Sequence, residues 1–405
     1  MIKKNIIFFW VLFSINFFEF KDLFNNNFII YLRFLFLFLF TLYSLRYFLC
    51  KNIGFIFPVK LISVAILFSM LMAYYSWDQD LVSCLKATLP YMSWICFFYL
   101  INNKISIKTV ENIVVVFGVL YIIFYLFQFA NSKTVYFGLL DEFGKDRGIT
   151  RINFPGSGLF YLLIFMSICK FTEKANYRWF WLTLTIIGPV ITILQVTRQT
   201  IGFVVLIYLF HFIRVKNKIF RVLGLLIIMG GILVFIYSEN SVYKGLLNSQ
   251  NETISDGTSY IRVLAGQYYL TEYSPNLVSK LFGNGVSYGI SSKMGQKIDS
   301  LSKTNYFYLD DMGIIAVYAM FGLIAVIGFI LVWIKSFRYS LHPRYFYTKY
   351  YIWFLLFTSL TSNSLFNYNY IAANIFAVVI YHIVVTKNSQ NKMRTKNNLN
   401  LNINS

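Results

Sequence analysis

The sequence predicts an all-α, polytopic integral membrane protein with about twelve transmembrane helices and one long external loop. Of its 405 residues 58% are hydrophobic and only 13% are charged, whereas soluble domains contain about 25% charged residues. The hydrophobic residues fall into windows of about 17–25 residues, the length that crosses the hydrocarbon core of a bilayer. Because backbone groups in lipid must be bonded within their own segment, these windows must be helices.

The hydropathy pattern places the spans in order along the chain. They lie at 5–20, 28–48, 53–76, 81–101, 112–130, 156–171, 179–196, 199–213, 219–237, 308–334, 346–366 and 368–386. The N-terminus resembles a signal peptide but lacks a small-x-small cleavage site, which favours an uncleaved first span. The chain thus divides into nine membrane helices (1–237), an external loop (238–307) predicted to contain short helices, three more membrane helices (308–386) and an Asn- and Lys-rich tail (387–405) expected to be disordered.

The basic residues that give the net charge of +20 cluster at junctions between spans and do not line one helix face. Basic clusters occupy alternate junctions, at 3–4, 46–51, 104–108, 170–178, 214–221, 335–349 and 387–396. This is the pattern of the positive-inside rule, so we expect both termini in the cytoplasm and no binding to nucleic acid. The four cysteines lie in or beside apolar runs without CxxC spacing, so no disulfide framework or metal site is predicted.

Arg198 is the strongest candidate for a functional residue. It lies between two apolar runs, in Gln-Val-Thr-Arg-Gln-Thr-Ile-Gly ending at Gly202. A charged residue at membrane depth is costly and marks a functional site by default. The planar, forked guanidinium suits a phosphate or pyrophosphate, although an arginine that snorkels to the interface would give the same sequence.

Three further arginines lie in predicted external segments. Arg262 belongs to a short helix expected in the long loop, capped by Asp256 or Ser259, where it would either bind an anion or lie on the helix surface. Arg147 and Arg151 precede the sixth span in the segment 131–155, where they would either meet a lipid-borne headgroup or pair with nearby acids.

The same loop contains a glycine turn and ends in two carboxylates. Gly283 and Gly285 flank Asn284 and would let backbone approach a ligand or simply form a turn. Asp310 and Asp311 open the tenth span, where a carboxylate would act as a general base or cap the helix. The sequence contains no phosphate-binding lysine motif and no metal-ligand cluster, so no metal and no cofactor is expected.

From the seventh span to the tenth, the chain resembles the Wzy-type O-antigen polymerases and the related O-antigen ligases. Three segments carry the resemblance: Thr-Arg-Gln-Thr-Ile-Gly at 197–202, Arg262 with the later Leu-Phe-Gly-Asn-Gly at 281–285, and the span that begins Tyr-Leu-Asp-Asp-Met-Gly at 308–313. The rest of the chain matches in hydropathy alone.

The resemblance implies a multi-pass glycosyltransferase of the bacterial cytoplasmic (inner) membrane. Its donors and acceptors would be undecaprenyl-pyrophosphate-linked oligosaccharides. It would lie in the lipid bilayer, and its protein partners would be a chain-length regulator and a flippase. The resemblance assigns the pyrophosphates to arginines, which agrees with the charge argument for Arg198 and Arg262. It leaves the general base unassigned; from the residues themselves, Asp311 or Asp310 is the candidate base and Arg151 a further contact of the pyrophosphate. Ligases carry a His-Asn pair near the end of the long loop; here Asn305 follows Lys-Thr, which favours a polymerase. A ligase with another base, or a flippase for the same lipids, is the alternative.

Overall fold

The computed structural model describes residues 2–24, 26–143, 150–173, 175–237, 260–290 and 292–403, and it is built almost entirely of helices. We number the helices of six or more residues. They are α1 Ile2–Ser14, α2 Asn27–Leu45, α3 Ile56–Trp77, α4 Leu81–Asn102, α5 Ile107–Ala130, α6 Ser157–Thr172, α7 Arg178–Leu194, α8 Arg198–Arg214, α9 Lys218–Tyr237, α10 Ile261–Thr271, α11 Leu277–Phe282, α12 Lys293–Thr304, α13 Ile314–Arg338, α14 Phe346–Thr358 and α15 Tyr368–Ile403. Two short antiparallel strands, β1 Leu139–Phe143 and β2 Thr150–Asn153, form one ladder.

Each predicted span coincides with a helix, and the prediction of a helical membrane protein is confirmed at that level. Six helices in the described ranges are long and apolar enough to cross a membrane: α2, α3, α4, α5, α13 and the first part of α15. The shorter helices α6 and α7 are apolar but have fewer than 18 residues. α15 continues to Ile403, where the sequence predicts disorder, because extending a formed helix costs no new nucleus.

The centre of the fold is α6. All residues from Ser157 to Lys170 are buried, and α6 packs against α5, α7, α14 and α15. A helix that is apolar on every side is typical of a protein core or of a membrane span, and here the neighbouring helices enclose it.

A break interrupts α13, which packs along α3. Gly322 has φ 75 and ψ −179, so the helix stops and restarts there. The backbone of 284–285 fills the gap: the amides of Asn284 and Gly285 donate to the carbonyls of Ala319 and Met320 at 3.1 and 2.8 Å. The freed carbonyl groups of a broken helix must find partners, and the loop supplies them.

Two of the three short loop helices match the sequence expectation. Asn276 caps α11 by accepting from the Ser279 amide at 2.8 Å, and this short helix agrees with the expectation of short helices in the loop. α10 contains Arg262 as expected, but its N-cap is Tyr260 without a side-chain bond, and the predicted caps Asp256 and Ser259 lie outside the described residues. α12, capped by Ser292, was not expected from the sequence.

The predicted span 346–366 is too long. α14 ends at Thr358, and residues 359–367 form a connecting loop, the 359–367 loop, before α15. The hydroxyl and amide side chains of Thr-Ser-Asn-Ser at 361–364 favour turns because they bond to nearby backbone.

The contacts between the segments that connect the helices fall into two groups, one at each end of the bundle. At one, the Asp310 end, the 359–367 loop meets the segment around Asp310 and the start of α8. At the other, the Glu111 end, Glu111 accepts from Lys170 at 2.8 Å and Tyr347 at 2.7 Å, and Lys335 donates to the Gly54 carbonyl at 2.6 Å. Every junction at the first end was predicted to be external, and every junction at the second cytoplasmic.

Candidate functional site

Arg262 and Asp311 form an ion pair at the Asp310 end. The guanidinium Nη2 of Arg262, in the first turn of α10, lies 2.9 Å from Oδ2 of Asp311. The two side chains are 37% and 46% exposed, so the pair lies at a surface open to a ligand. Within the described residues the remaining guanidinium nitrogens have no further partner, so they are candidates for binding an anion while Asp311 holds the group.

Asp310 lies beside this pair and accepts a 2.8 Å hydrogen bond from the Asn363 side-chain amide. Its carboxylate is also within electrostatic range of the phenols of Tyr91 and Tyr269. Burial raises the pKa of the Tyr269 phenol above its usual range, and this protonated hydroxyl donates to the Phe307 carbonyl at 3.1 Å.

Neither carboxylate caps α13, although capping was one of the two roles considered from the sequence. Asp310 and Asp311 belong to a 3-10 turn, and the N-cap of α13 is Gly313. Gly313 lies so close to the 359–367 loop that an added Cβ would be 2.0 Å from the Ser359 carbonyl oxygen, and the Ile314 amide donates to that oxygen at 2.7 Å. The backbone that follows the two carboxylates is therefore fixed to the 359–367 loop, and Asp310 also bonds to it directly through Asn363.

Arg198 reaches the same loop through its neighbour. Arg198 is the first residue of α8, and Gln199 donates to the Phe357 carbonyl at 2.8 Å and accepts from the Thr361 hydroxyl. Arg198 itself is half-buried and finds no hydrogen-bond or ion-pair partner within the described ranges. An unpaired, partly enclosed guanidinium is suited to bind an anion.

The turn that presents Arg198 is strained. Val196 has φ 54, a left-handed conformation that a β-branched residue rarely adopts. Such residues cost about 1–3 kcal/mol and persist where their surroundings hold them. The preceding Gln195 is buried and donates to the Tyr121 hydroxyl at 2.9 Å while accepting from the Tyr161 hydroxyl, which anchors the turn to α5 and α6.

Gly283 and Gly285 lie against the protein itself. A Cβ on Gly283 would be 2.2 Å from the Met320 carbonyl oxygen, and one on Gly285 would be 2.6 Å from that of Ser69. Both are buried, so the structure gives them a packing role, and their contact with a ligand stays a prediction.

Three predicted residues remain: Asn305, Arg151 and Arg147. Asn305 is exposed after α12 and accepts from the Thr304 hydroxyl at 2.8 Å. Arg151 belongs to β2, where its Cα partner across the ladder is Glu142. Arg147 lies outside the described residues.

Sequence reasoning missed the polar side chains of the 359–367 loop and Gln199. Asn363 and Thr361 had been placed inside a span, although a run of hydroxyl and amide residues in an apolar segment could have identified them. Gln199 follows Arg198, whose charge between two apolar runs is the stronger sequence signal, so the sequence did not single out Gln199. Among the described residues, no three His, Cys, Asp or Glu side chains are grouped as a metal site would need.

Comparison of this chain with family models, with curated proteins and with solved structures gave no match.

Proposed function

We propose that this protein is a glycan polymerase of a bacterial cytoplasmic membrane that uses polyprenyl-pyrophosphate-linked oligosaccharides. The observation that carries the proposal is a shared loop at one end of the bundle: Thr361 of the 359–367 loop bonds to Gln199, the neighbour of Arg198, and Asn363 of the same loop bonds to Asp310, which precedes the Arg262–Asp311 pair in sequence. It combines two guanidinium groups for a pyrophosphate with a carboxylate for a sugar hydroxyl.

In this proposal all twelve apolar helices cross the membrane and both termini are cytoplasmic. The Asp310 end is then external, because the basic junctions lie at the Glu111 end. Residues 238–307 form the external loop over the site. The charge bias and the sorting of junction contacts support this orientation.

The reaction is a displacement at the anomeric carbon that carries the pyrophosphate. A hydroxyl of the next lipid-linked repeat unit forms the new glycosidic bond, the bond from that carbon to the pyrophosphate oxygen breaks, and the lipid pyrophosphate leaves. Asp310 takes the hydroxyl proton as general base. Asn363 holds one oxygen of this carboxylate by a 2.8 Å bond, and the second oxygen is directed to the acceptor.

Arg198 and Arg262 stabilise the charge that develops on the leaving pyrophosphate, the role of preorganised cations in a transition state. Asp311 positions Arg262 through its 2.9 Å bond. Arg151 is kept as a further contact of the donor.

A flippase for the same lipids is the second candidate, because one observation favours it. Membrane helices interrupted at mid-length are typical of transporters, and α13 is interrupted at Gly322. Against it, the carbonyl groups freed by the break are occupied by the backbone of 284–285, which leaves them unavailable to a substrate.

The test is the surface glycan of a deletion strain complemented with variants. Arg198→Lys keeps the charge but removes the forked donor, so we expect loss of the polymer ladder and single-repeat glycans at wild-type protein level. Arg178→Lys is the matched control, because Arg178 is likewise the first residue of a helix but lies near Phe220, at the opposite end; it should give a normal ladder.

The other outcomes decide between the alternatives. A normal ladder in the Arg198→Lys strain would remove Arg198 from the site. In the deletion strain, carrier-linked polymer without surface glycan would identify a ligase, and lipid-linked units held in the inner leaflet would identify a flippase.

A further inference from the structure

A cavity of about 690 Å³ opens at the Glu111 end, far from the cluster around Asp310. It lies between the start of α3, the turn from α4 to α5, the segment before α14 and the middle of α15. Six of its lining residues are isoleucines, from Ile53 on one wall to Ile383 on the other. Its volume falls in the range of about 300–1,000 Å³ that is usual for ligand sites.

The polar residues of the cavity offer donors and positive charge. Lys104 and Lys387 lie at its mouth, both exposed, and neither side chain bonds to any other described residue. No Asp or Glu lines it. The mouth therefore has an unneutralised charge beside an apolar wall.

His382 adds a neutral donor to the lining of the cavity. His382 Nδ1 accepts from the Phe55 amide at 3.3 Å, so a neutral ring carries its proton on Nε2 and donates from that side. Lys335, which donates to the Gly54 carbonyl, is within electrostatic range of His382. Lys335 does not line the cavity, so the positive charge that an anion would meet there comes from Lys104 and Lys387.

The turn that presents Lys104 is also strained. Lys104 has φ 50, a left-handed conformation uncommon for lysine. It is held by backbone bonds from the Lys104 amide to Ile101 at 2.9 Å and from the Ile105 amide to Leu100 at 3.2 Å.

We infer that this cavity binds the headgroup and upper acyl chain of an anionic phospholipid. The lysines contact the phosphate, and the isoleucine walls contact the chain. Basic pockets between membrane helices bind acidic lipid headgroups by this combination. The inference does not rest on polymerase activity; it requires only that the Glu111 end lie at a headgroup layer.

Native mass spectrometry of the purified full-length protein with added phosphatidylglycerol or phosphatidylcholine tests it. Wild type should retain phosphatidylglycerol in preference to phosphatidylcholine. A lysine near a lipid surface contributes about fivefold in affinity, so Lys104→Gln with Lys387→Gln should weaken phosphatidylglycerol binding about 25-fold. Lys51→Gln with Lys108→Gln removes the same charge from exposed positions outside the cavity and should leave binding near wild type.

A variant in the apolar wall of the cavity distinguishes binding of a lipid from binding of free phosphate. Ile53→Gln, on the 56% exposed Ile53, should weaken phosphatidylglycerol binding, and millimolar inorganic phosphate should not displace the lipid. Equal losses in both double variants, equal retention of the two lipids, or displacement by phosphate alone would overturn the inference. The lysines are exposed, so the lipid-free melting temperature of the double variant should equal that of wild type.

Discussion

The contact between the glycine turn and the broken helix α13 gives a sharp prediction. Gly283 has φ 88 and ψ 174, a region essentially restricted to glycine that costs other residues about 1–3 kcal/mol. A Cβ there would lie 2.2 Å from the Met320 carbonyl oxygen and 2.4 Å from the Phe321 Cα. These are backbone atoms that cannot rotate away, so overpacking adds about 1–3 kcal/mol. Gly283→Ala should therefore destabilise the protein by about 2–6 kcal/mol.

Gly289→Ala is the matched control. Gly289 also has a positive φ, of 64, but an added Cβ would meet no atom within 4 Å. Its cost is the left-handed strain alone, about 1–2 kcal/mol. The difference between the two variants isolates the contact with α13.

The chain carries its own probe for the measurement. Cys84, Cys96 and Cys169 are buried, so a thiol-reactive fluorophore reports unfolding of the detergent-purified protein as it is heated. We expect a much larger fall in melting temperature for Gly283→Ala than for Gly289→Ala. Equal falls would mean that the turn does not pack into the break, and the account of α13 given above would be wrong.

Three further predictions concern charges and the 359–367 loop. Arg262→Asp should abolish polymer formation in the complemented strain. The double variant Arg262→Asp with Asp311→Arg should not restore it, because the swap keeps the ion pair but moves the cation. A restored polymer ladder in the double variant would mean that the pair has a structural role only. Asn363→Ala should lower polymer yield at least tenfold without lowering the protein level, because Asp310 loses its orienting bond; an unchanged ladder in densitometry would contradict this. Lys170→Met leaves the Glu111 carboxylate buried without its cation and should cost about 3–5 kcal/mol in thiol-monitored unfolding, whereas adding Glu111→Gln should recover part of the loss; full stability of the single variant would refute the estimate.

The helices were predictable from local composition, because a segment apolar enough to lie in a bilayer has to be helical. Each apolar window had to be a helix, and a helix lies at each predicted position. The exceptions are ends set by side-chain bonds: α14 stops at Thr358 because the polar residues after it bond to Asp310 and to Gln199, partners far away in the chain.

The candidate site was predictable in its residue types and not in its assembly. An arginine between apolar runs was recognisable at Arg198. The pairing of Arg262 with Asp311 across 49 positions and the common loop behind them depend on tertiary packing. The packing of Gly283 against the break in α13 could not be predicted, because no local pattern marks that break.

The short central helix has a consequence for the thickness of the barrier. With 16 residues, α6 is about 24 Å long, while the hydrocarbon core is about 30 Å thick. Its neighbour α5, with 24 residues, is long enough to reach both surfaces. We therefore expect a depression over the end of α6, where water and sugar reach below the lipid headgroups without crossing the bilayer.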